Sequence, residues 1–474
     1  MRCMSSSSEA LSNIRAAVII IVVAFHSMLA YLGSLPRSAA RFGEPPYRWV
    51  TFPIIDSERW FGFDLFCALQ NLYLMSFMFL LSGLFVWPSL KRKGATTFLR
   101  GRLLRLGVPA AIGMGLLMPM THFATYRVTT LNPSLLAFWR DWLALPFWPT
   151  GPIWFIWQLL ALDLVVAILW RFAPRSGEFL ARSSASGVDC PARYFFGLAA
   201  VSATAYVPLA LLFGPWEWWQ VGPVAVQSSR PLLYAVYFFA GVGIGAYGLD
   251  RGLFATDGML ARRWATWLLI ALTTFVVWIA VTAIGLERAE TVPIELQLAA
   301  ALAFVLACAA GCFAFAAVFL RYATRRSSLL RSLSEYAFGI YLVHYAFVVW
   351  LQYALLSIPL WALAKATIVF VGALLLSWAT AATMRIWLAP RLIAMIGRPQ
   401  TCPCCADRRW PHYLEGPTMK RPRRRLISTG VSATPVAPGG FNTGLPTGKL
   451  AHTRFPRRAE KNAIHSTYYE RVIR

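Results

Sequence analysis

Arg15 and His26 lie on one apolar stretch, IRAAVIIIVVAFHSMLAYL from Ile14 to Leu32, with one charge at its start and one imidazole further in. At ~1.5 Å rise per residue the two are ~16 Å apart along a helix axis. Eleven steps of roughly 100° make about three full turns, so both side chains leave the same helix face. An imidazole can take up and return a proton near neutral pH, or act as a nucleophile. Ionisable groups in an apolar span are costly, and function is their default reading.

Two further polar residues are predicted at similar depth. Along outward-running helices His26 lies ~18 Å and His344 ~15 Å from the cytoplasmic edge, and Asp163 lies ~16 Å from the outer start of an inward-running helix. Equal depth permits the three to meet near the membrane midplane. The structural alternative for His344 and Asp163 is a polar side chain bonded to a neighbouring helix. His122, at the end of the third span, reads as an interface residue. Arg102 and Arg105 are three apart and share a face at the inner mouth of that span. They read either as basic residues stopping a helix at the cytoplasmic edge or as a phosphate clamp, because guanidinium forks bind phosphate oxygens in pairs. Coenzyme A, with its nucleotide phosphates, suits such a clamp.

The elements that must position these residues follow from hydropathy. The expected fold is all-α, a polytopic transmembrane helical bundle, because about 20 apolar residues cross the ~30 Å hydrocarbon core. Ten runs qualify, near 14–35, 61–88, 105–121, 152–170, 194–213, 231–249, 264–285, 296–320, 334–356 and 360–388. Alternate loops are basic, with Lys91, Arg92, Lys93 and Arg100 in one, Arg171, Arg175 and Arg182 in the next, then Arg251, Arg262 and Arg263, then Arg321, Arg325 and Arg326. The positive-inside rule then puts both termini in the cytoplasm. Residues 1–13 form a cytoplasmic N-terminal segment, 14–390 the transmembrane domain, and 391–474 a basic, low-complexity cytoplasmic tail expected to be disordered. The first span resembles a signal peptide in outline, but its apolar run exceeds the usual ~7–15 residue core, so it is expected to stay as an anchor.

The net charge of +25 is accounted for by topology and by a tail that includes KRPRRR at Lys420–Arg425. It predicts contact with membrane lipid and no nucleic-acid partner, since no binding fold is present. The eight cysteines do not make a secreted framework. Cys67, Cys308 and Cys312 fall in spans as free thiols, and Cys402, Cys404, Cys405 and His412 have no standard zinc spacing, so no metal site is expected. Segments 122–151 and 214–230 are rich in tryptophan and read as interfacial aromatic belts, with a sugar-stacking shelf as the alternative.

Four blocks carry a family resemblance: Arg15-x10-His26; FMFLLSGLFVWPSLKRKG (Phe77–Gly94) leading into RLLR (Arg102–Arg105); GPIWFIWQLLALDL (Gly151–Leu164); and SEYAFGIYLVHYAFVVW (Ser334–Trp350). In this order they resemble the acyltransferase family 3 membrane enzymes, which acylate bacterial surface glycans and related acceptors. The resemblance implies a catalytic role for His26. It implies that Arg15, Arg102 and Arg105 serve an acyl-CoA donor, acetyl-CoA being the economical choice. It further implies a carbohydrate or glycolipid hydroxyl as acceptor and a bacterial inner membrane location. The chain has a basic tail where many relatives carry a fused outer hydrolase-like domain. The competing class is a transporter or flippase for a glycan or lipid-linked precursor, which would also want polar groups at mid-depth.

Overall fold

The computed structural model describes residues 6–35, 41–44, 47–287, 292–325 and 327–396. Helix α1 covers Ser6–Met28 and tightens into a 3-10 turn at Leu29–Tyr31; α2 is Phe61–Gly83 and α3 Val86–Lys93. A continuous helical run, α4, follows at Ala95–Thr129, then α5 at Leu135–Leu143. A 3-10 turn at Gly151–Ile153 leads into α6, Trp154–Phe172, followed by α7, Ser176–Asp189, and α8, Pro191–Phe213. Strands β1 (Trp218–Val221) and β2 (Val224–Gln227) precede α9, Pro231–Tyr247. The chain continues through α10 (Met259–Arg262), α11 (Trp264–Glu287), α12 (Ile294–Tyr322), α13 (Ser328–Leu355) and α14 (Ala362–Ile396).

Among the described residues nine helices are long and apolar enough to cross a membrane, and α9 is a shorter apolar helix. Together they fall on the ten positions expected from hydropathy. The protein is therefore a polytopic helical membrane bundle. Its centre is α12, with 72% of its apolar window buried, whereas α11 is only 6% buried and turns its Leu and Val side chains outward. The tail beyond 396, with Cys402, Cys404, Cys405 and His412, lies outside the described residues.

Three local features differ from expectation for identifiable reasons. First, α1 begins at Ser6, within the segment expected to precede the membrane unit. Its polar start is buried because Asn13 Nδ2 donates to the carbonyls of Ala323 (2.7 Å) and Arg325 (3.1 Å), capping the end of α12. Second, the third span, expected near 105–121, runs from Ala95 to Thr129. Prolines at 109 and 119 cannot complete the α-helical ladder, and the turn before each widens to a π turn, at Leu103–Gly107 and Gly113–Leu117, instead of ending the helix. Third, the tryptophan-rich segment 214–230, expected only as an interfacial belt, contains a β-hairpin. Trp218 pairs with Gln227 and Val221 with Val224 in an antiparallel hairpin, with Gly222 at φ +51 in its tight turn.

Helices α2 and α9 meet backbone to backbone. A Cβ on Gly241 would sit 2.0 Å from the Leu80 carbonyl oxygen, and one on Gly83 would sit 2.1 Å from that of Phe238. Small residues bring transmembrane helices this close where apolar side chains gain little by mutual burial. The loops carrying the arginine clusters gather at one end of the bundle, here the basic end. At the other, the hairpin end, Trp148 N–H donates to Gly222 O at 2.8 Å.

Candidate active site

Helices α1 and α13 pack along their lengths and bring His26 and His344 together. His26 lies in the last turn of α1 and is half-buried; His344 is fully buried. His26 Nδ1 is 2.8 Å from Val22 O and 3.3 Å from His344 Nε2, while His344 Nδ1 is 2.7 Å from Tyr341 O. A carbonyl oxygen only accepts, so both Nδ1 atoms carry their hydrogen. His344 Nε2 is then a lone pair that receives the longer branch of the His26 N–H. His26 Nε2 is also a lone pair, and no described residue bonds it. The pair thus presents one basic nitrogen, with the opposite face of the ring held by a carbonyl and a second imidazole.

One face of α13 builds this arrangement, since Tyr341, His344, Tyr345 and Gln352 recur at helical spacing. Gln352 Nε2 donates to the carbonyls of His26 (3.0 Å) and Ser27 (3.2 Å), satisfying acceptors that the end of α1 leaves open. The Tyr345 ring stands edge-on to His26 at 5.4 Å. The Tyr341 hydroxyl donates to Pro152 O. Gly151, at φ +49, lies so close that a Cβ would meet Tyr345 Cε1 at 3.1 Å. The Gly-Pro-Ile turn before α6 is therefore seated on the histidine face of α13.

The chain just after His26 is fixed from the hairpin end. Asp56 N–H donates to Ala30 O and Trp60 N–H to Tyr31 O, each at 3.0 Å. The Asp56 carboxylate accepts two bonds from Lys365 Nζ, at 2.8 and 3.0 Å, in a pair almost wholly buried, and Nζ also donates to Leu356 O at 3.5 Å. Asp64 accepts from the backbone of Gly33 at 2.6 Å and of Ser34 at 3.1 Å.

Asp163 is not among the contacts of the histidine pair. It is fully buried and faces Arg102, with Nε to Oδ2 at 3.3 Å. Neither carboxylate oxygen has a hydrogen bond among the described residues, so this is a Coulombic contact. Arg102 also lies over the Phe98 ring, 5.3 Å from its centre. Arg105, inside the first π turn, is exposed while Arg102 is turned inward. The widened turn breaks the shared face that regular helical spacing predicts. Arg15 is partly buried, with its guanidinium over Phe85 at 5.7 Å.

His122 is a correction. It is fully buried rather than interfacial, ringed by Trp49 (5.2 Å), Trp142 (5.8 Å) and Tyr345 (6.2 Å), and neither ring nitrogen is hydrogen-bonded among the described residues. The aromatics of 122–151 likewise divide: Phe138 and Trp142 are buried against Phe42, and Trp139 is exposed. A cavity of about 400 Å³ lies between Met114, Trp142, Trp148 and the hairpin turn at Gly222. Its wall is held by Trp148 Nε1, which donates to Met114 O at 3.0 Å in the second π turn.

Gln352, Tyr341, Tyr345 and the Asp56–Lys365 pair are contributors that spacing did not single out. The available signal was a lone glutamine and a lone lysine in otherwise apolar spans. Among the described residues no group of three His, Cys, Asp or Glu side chains is placed to hold a metal ion.

Among the described residues, nine long apolar helices and one shorter one form a bundle in which two imidazoles pair between α1 and α13. The family model described as an acyltransferase domain matches residues 8–382, and the chain belongs to this acyltransferase family 3. Searches of curated proteins and of solved structures return no match.

Proposed function

We propose that the protein moves an acyl group, acetyl in the simplest case, from acyl-CoA at the basic end to a hydroxyl of a carbohydrate or glycolipid at the hairpin end. The basic loops support a cytoplasmic basic end and cytoplasmic termini, as in a bacterial plasma membrane. The observation that carries this reading is the unbonded Nε2 of His26, with Nδ1–H engaged behind it.

Arg15, Arg102 and Arg105 are the groups suited to the phosphates of the donor. Arg15 lies on the same helix face as His26 and ~16 Å below it, so the pantetheine arm would run up α1. The Arg102–Asp163 contact implies that donor phosphate competes with a buried carboxylate for one guanidinium. Asp163 then acts on donor binding rather than on proton transfer.

In the transfer step His26 Nε2 takes the proton of the acceptor hydroxyl as its oxygen bonds to the thioester carbon. The C–S bond breaks, coenzyme A leaves as thiolate, and the proton on Nε2 returns to that sulfur. His344 Nε2 accepts from His26 Nδ1–H and stabilises the imidazolium formed in between, as a neutral orienting group. The same lone pair could first take the acyl group itself, and labelling without acceptor separates the routes: an acyl-histidine retains label, whereas direct transfer leaves none.

The test is incubation of the purified full chain in lipid vesicles with labelled acetyl-CoA and an oligosaccharide acceptor. The expected result is acceptor acetylation with one thiol released per transfer. Movement of acceptor across the membrane without thioester cleavage would support the transporter reading instead.

A further inference from the structure

Arg230 sits away from the histidines and the donor arginines, between β2 and α9. Although it is charged, it is only 1% exposed. Its Nη1 donates to Asn71 twice, to O at 3.1 Å and to Oδ1 at 2.8 Å. Its guanidinium lies 4.8 Å from the centre of the Phe304 ring and 5.7 Å from that of Trp216. Its Nε and Nη2 have no hydrogen-bond partner, and no carboxylate pairs with it among the described residues.

These two unbonded atoms form the side-on edge of the guanidinium, whose parallel N–H groups match two oxygens of one anion. The remaining edge is tied to Asn71, and rings cover the planar faces, so an anion has one approach, along the edge. The Tyr234 hydroxyl lies within hydrogen-bonding reach of the same guanidinium without aligned geometry to Nε or Nη2, and Tyr206 lies within electrostatic range, so both hydroxyls stand beside the edge that an anion would meet. A buried cation with no counter-charge is costly, and a purely structural arginine would be cheaper with a carboxylate beside it.

Depth and access are also defined. Asn71 and Phe304 each lie about 15 Å down from the hairpin-end starts of α2 and α12, so the Arg230 head group is well inside the bundle. Trp216, 48% exposed, covers it from the loop before β1.

We propose that Arg230, held by Asn71, is the fork of an oxyanion-binding site reached from the hairpin end, taking a carboxylate or phosphate group through two oxygens. The site is separate from the donor arginines, and its occupancy does not depend on acyl transfer.

The experiment uses the full chain in uncharged maltoside micelles, with inorganic phosphate, acetate or chloride at equal ionic strength, and separately with phosphatidylglycerol. Thermal unfolding and lipid retention in native mass spectrometry are read. Phosphate and acetate should raise the unfolding midpoint of the wild type above the chloride value. Arg230→Lys keeps the charge but loses the fork and should weaken the phosphate response roughly ten-fold or more; Asn71→Ala should weaken it less. A lipid source of the anion predicts that phosphatidylglycerol is retained by the wild type but not by Arg230→Lys, and that it abolishes the phosphate effect. A soluble source predicts that phosphatidylglycerol leaves that effect intact. Equal responses of wild type and Arg230→Lys to every anion, or no response in either, would overturn the proposal. Acyl transfer is not a readout, so failure here leaves the proposed reaction untouched.

Discussion

Two pairs of ionisable residues lie on long spans of this bundle, and the structure treats them in opposite ways. His26 and His344 meet as hydrogen-bonded rings, each pinned through Nδ1 to a carbonyl of its own helix, and one basic nitrogen is left over. Arg102 and Asp163 meet as opposite charges with no hydrogen bond between them. The first pair spends its internal contacts on orientation and keeps its reactive atom available. The second largely neutralises itself, so its reactivity towards an outside anion depends on competition. One arrangement suits proton transfer, the other adjustable anion binding.

Breaking the histidine pair should have the largest effect. His26→Ala should lower transfer by about 10²–10⁴-fold, the usual contribution of a positioned general base. Loss of the fastening behind it comes next: Lys365→Met leaves the buried Asp56 carboxylate unpaired and should cost about 3–5 kcal/mol in unfolding free energy. That change should disturb turnover before donor affinity, because Asp56 ties down the chain following His26. Chemical denaturation in micelles and donor titration measure the two effects separately.

His344→Leu removes the acceptor behind His26 Nδ1–H and should reduce turnover roughly 10–100-fold, in line with other orienting partners of a functional imidazole. Donor KM should stay unchanged, and a shift in the pH profile would mark orientation rather than folding.

The arginine pair should respond differently. Arg102→Ala should weaken acyl-CoA binding by about 1.5–3 kcal/mol and also reduce stability, because Asp163 is left as a buried charge. Combining it with Asp163→Asn should restore stability but not donor binding. Recovery of donor affinity in the double variant would mean that Arg102 serves only Asp163. The smallest effect is expected from truncation after Gly397, which should leave insertion and transfer near wild-type levels.

The contrast also marks what the amino-acid sequence could reveal. Hydropathy located the ten apolar helices found among the described residues, and the eleven-residue step from Arg15 to His26 gave both face and separation. Rise per residue put His26 and His344 at matching depths, and they touch. The same arithmetic put Asp163 near that depth, yet its contact is Arg102, because depth along an axis does not state which helix stands opposite. Regular spacing put Arg102 and Arg105 on one face, and the π turn before Pro109 undid that. The Val-Pro and Met-Pro pairs were the visible sign. The buried start of α1 was hidden because Asn13 is satisfied by carbonyls more than three hundred residues away. His122 read as interfacial because a helix end near the surface does not show that Trp49 and Trp142 fold over it.

The most direct test is turnover and donor affinity of His26→Gln in lipid, with labelled acetyl-CoA and acceptor. Glutamine keeps hydrogen-bonding capacity at this position but cannot take the proton. Transfer should be lost while acetyl-CoA still binds as in the wild type. Near wild-type turnover in His26→Gln would contradict the role given to the free Nε2 and reduce the histidine pair to a helix-packing contact.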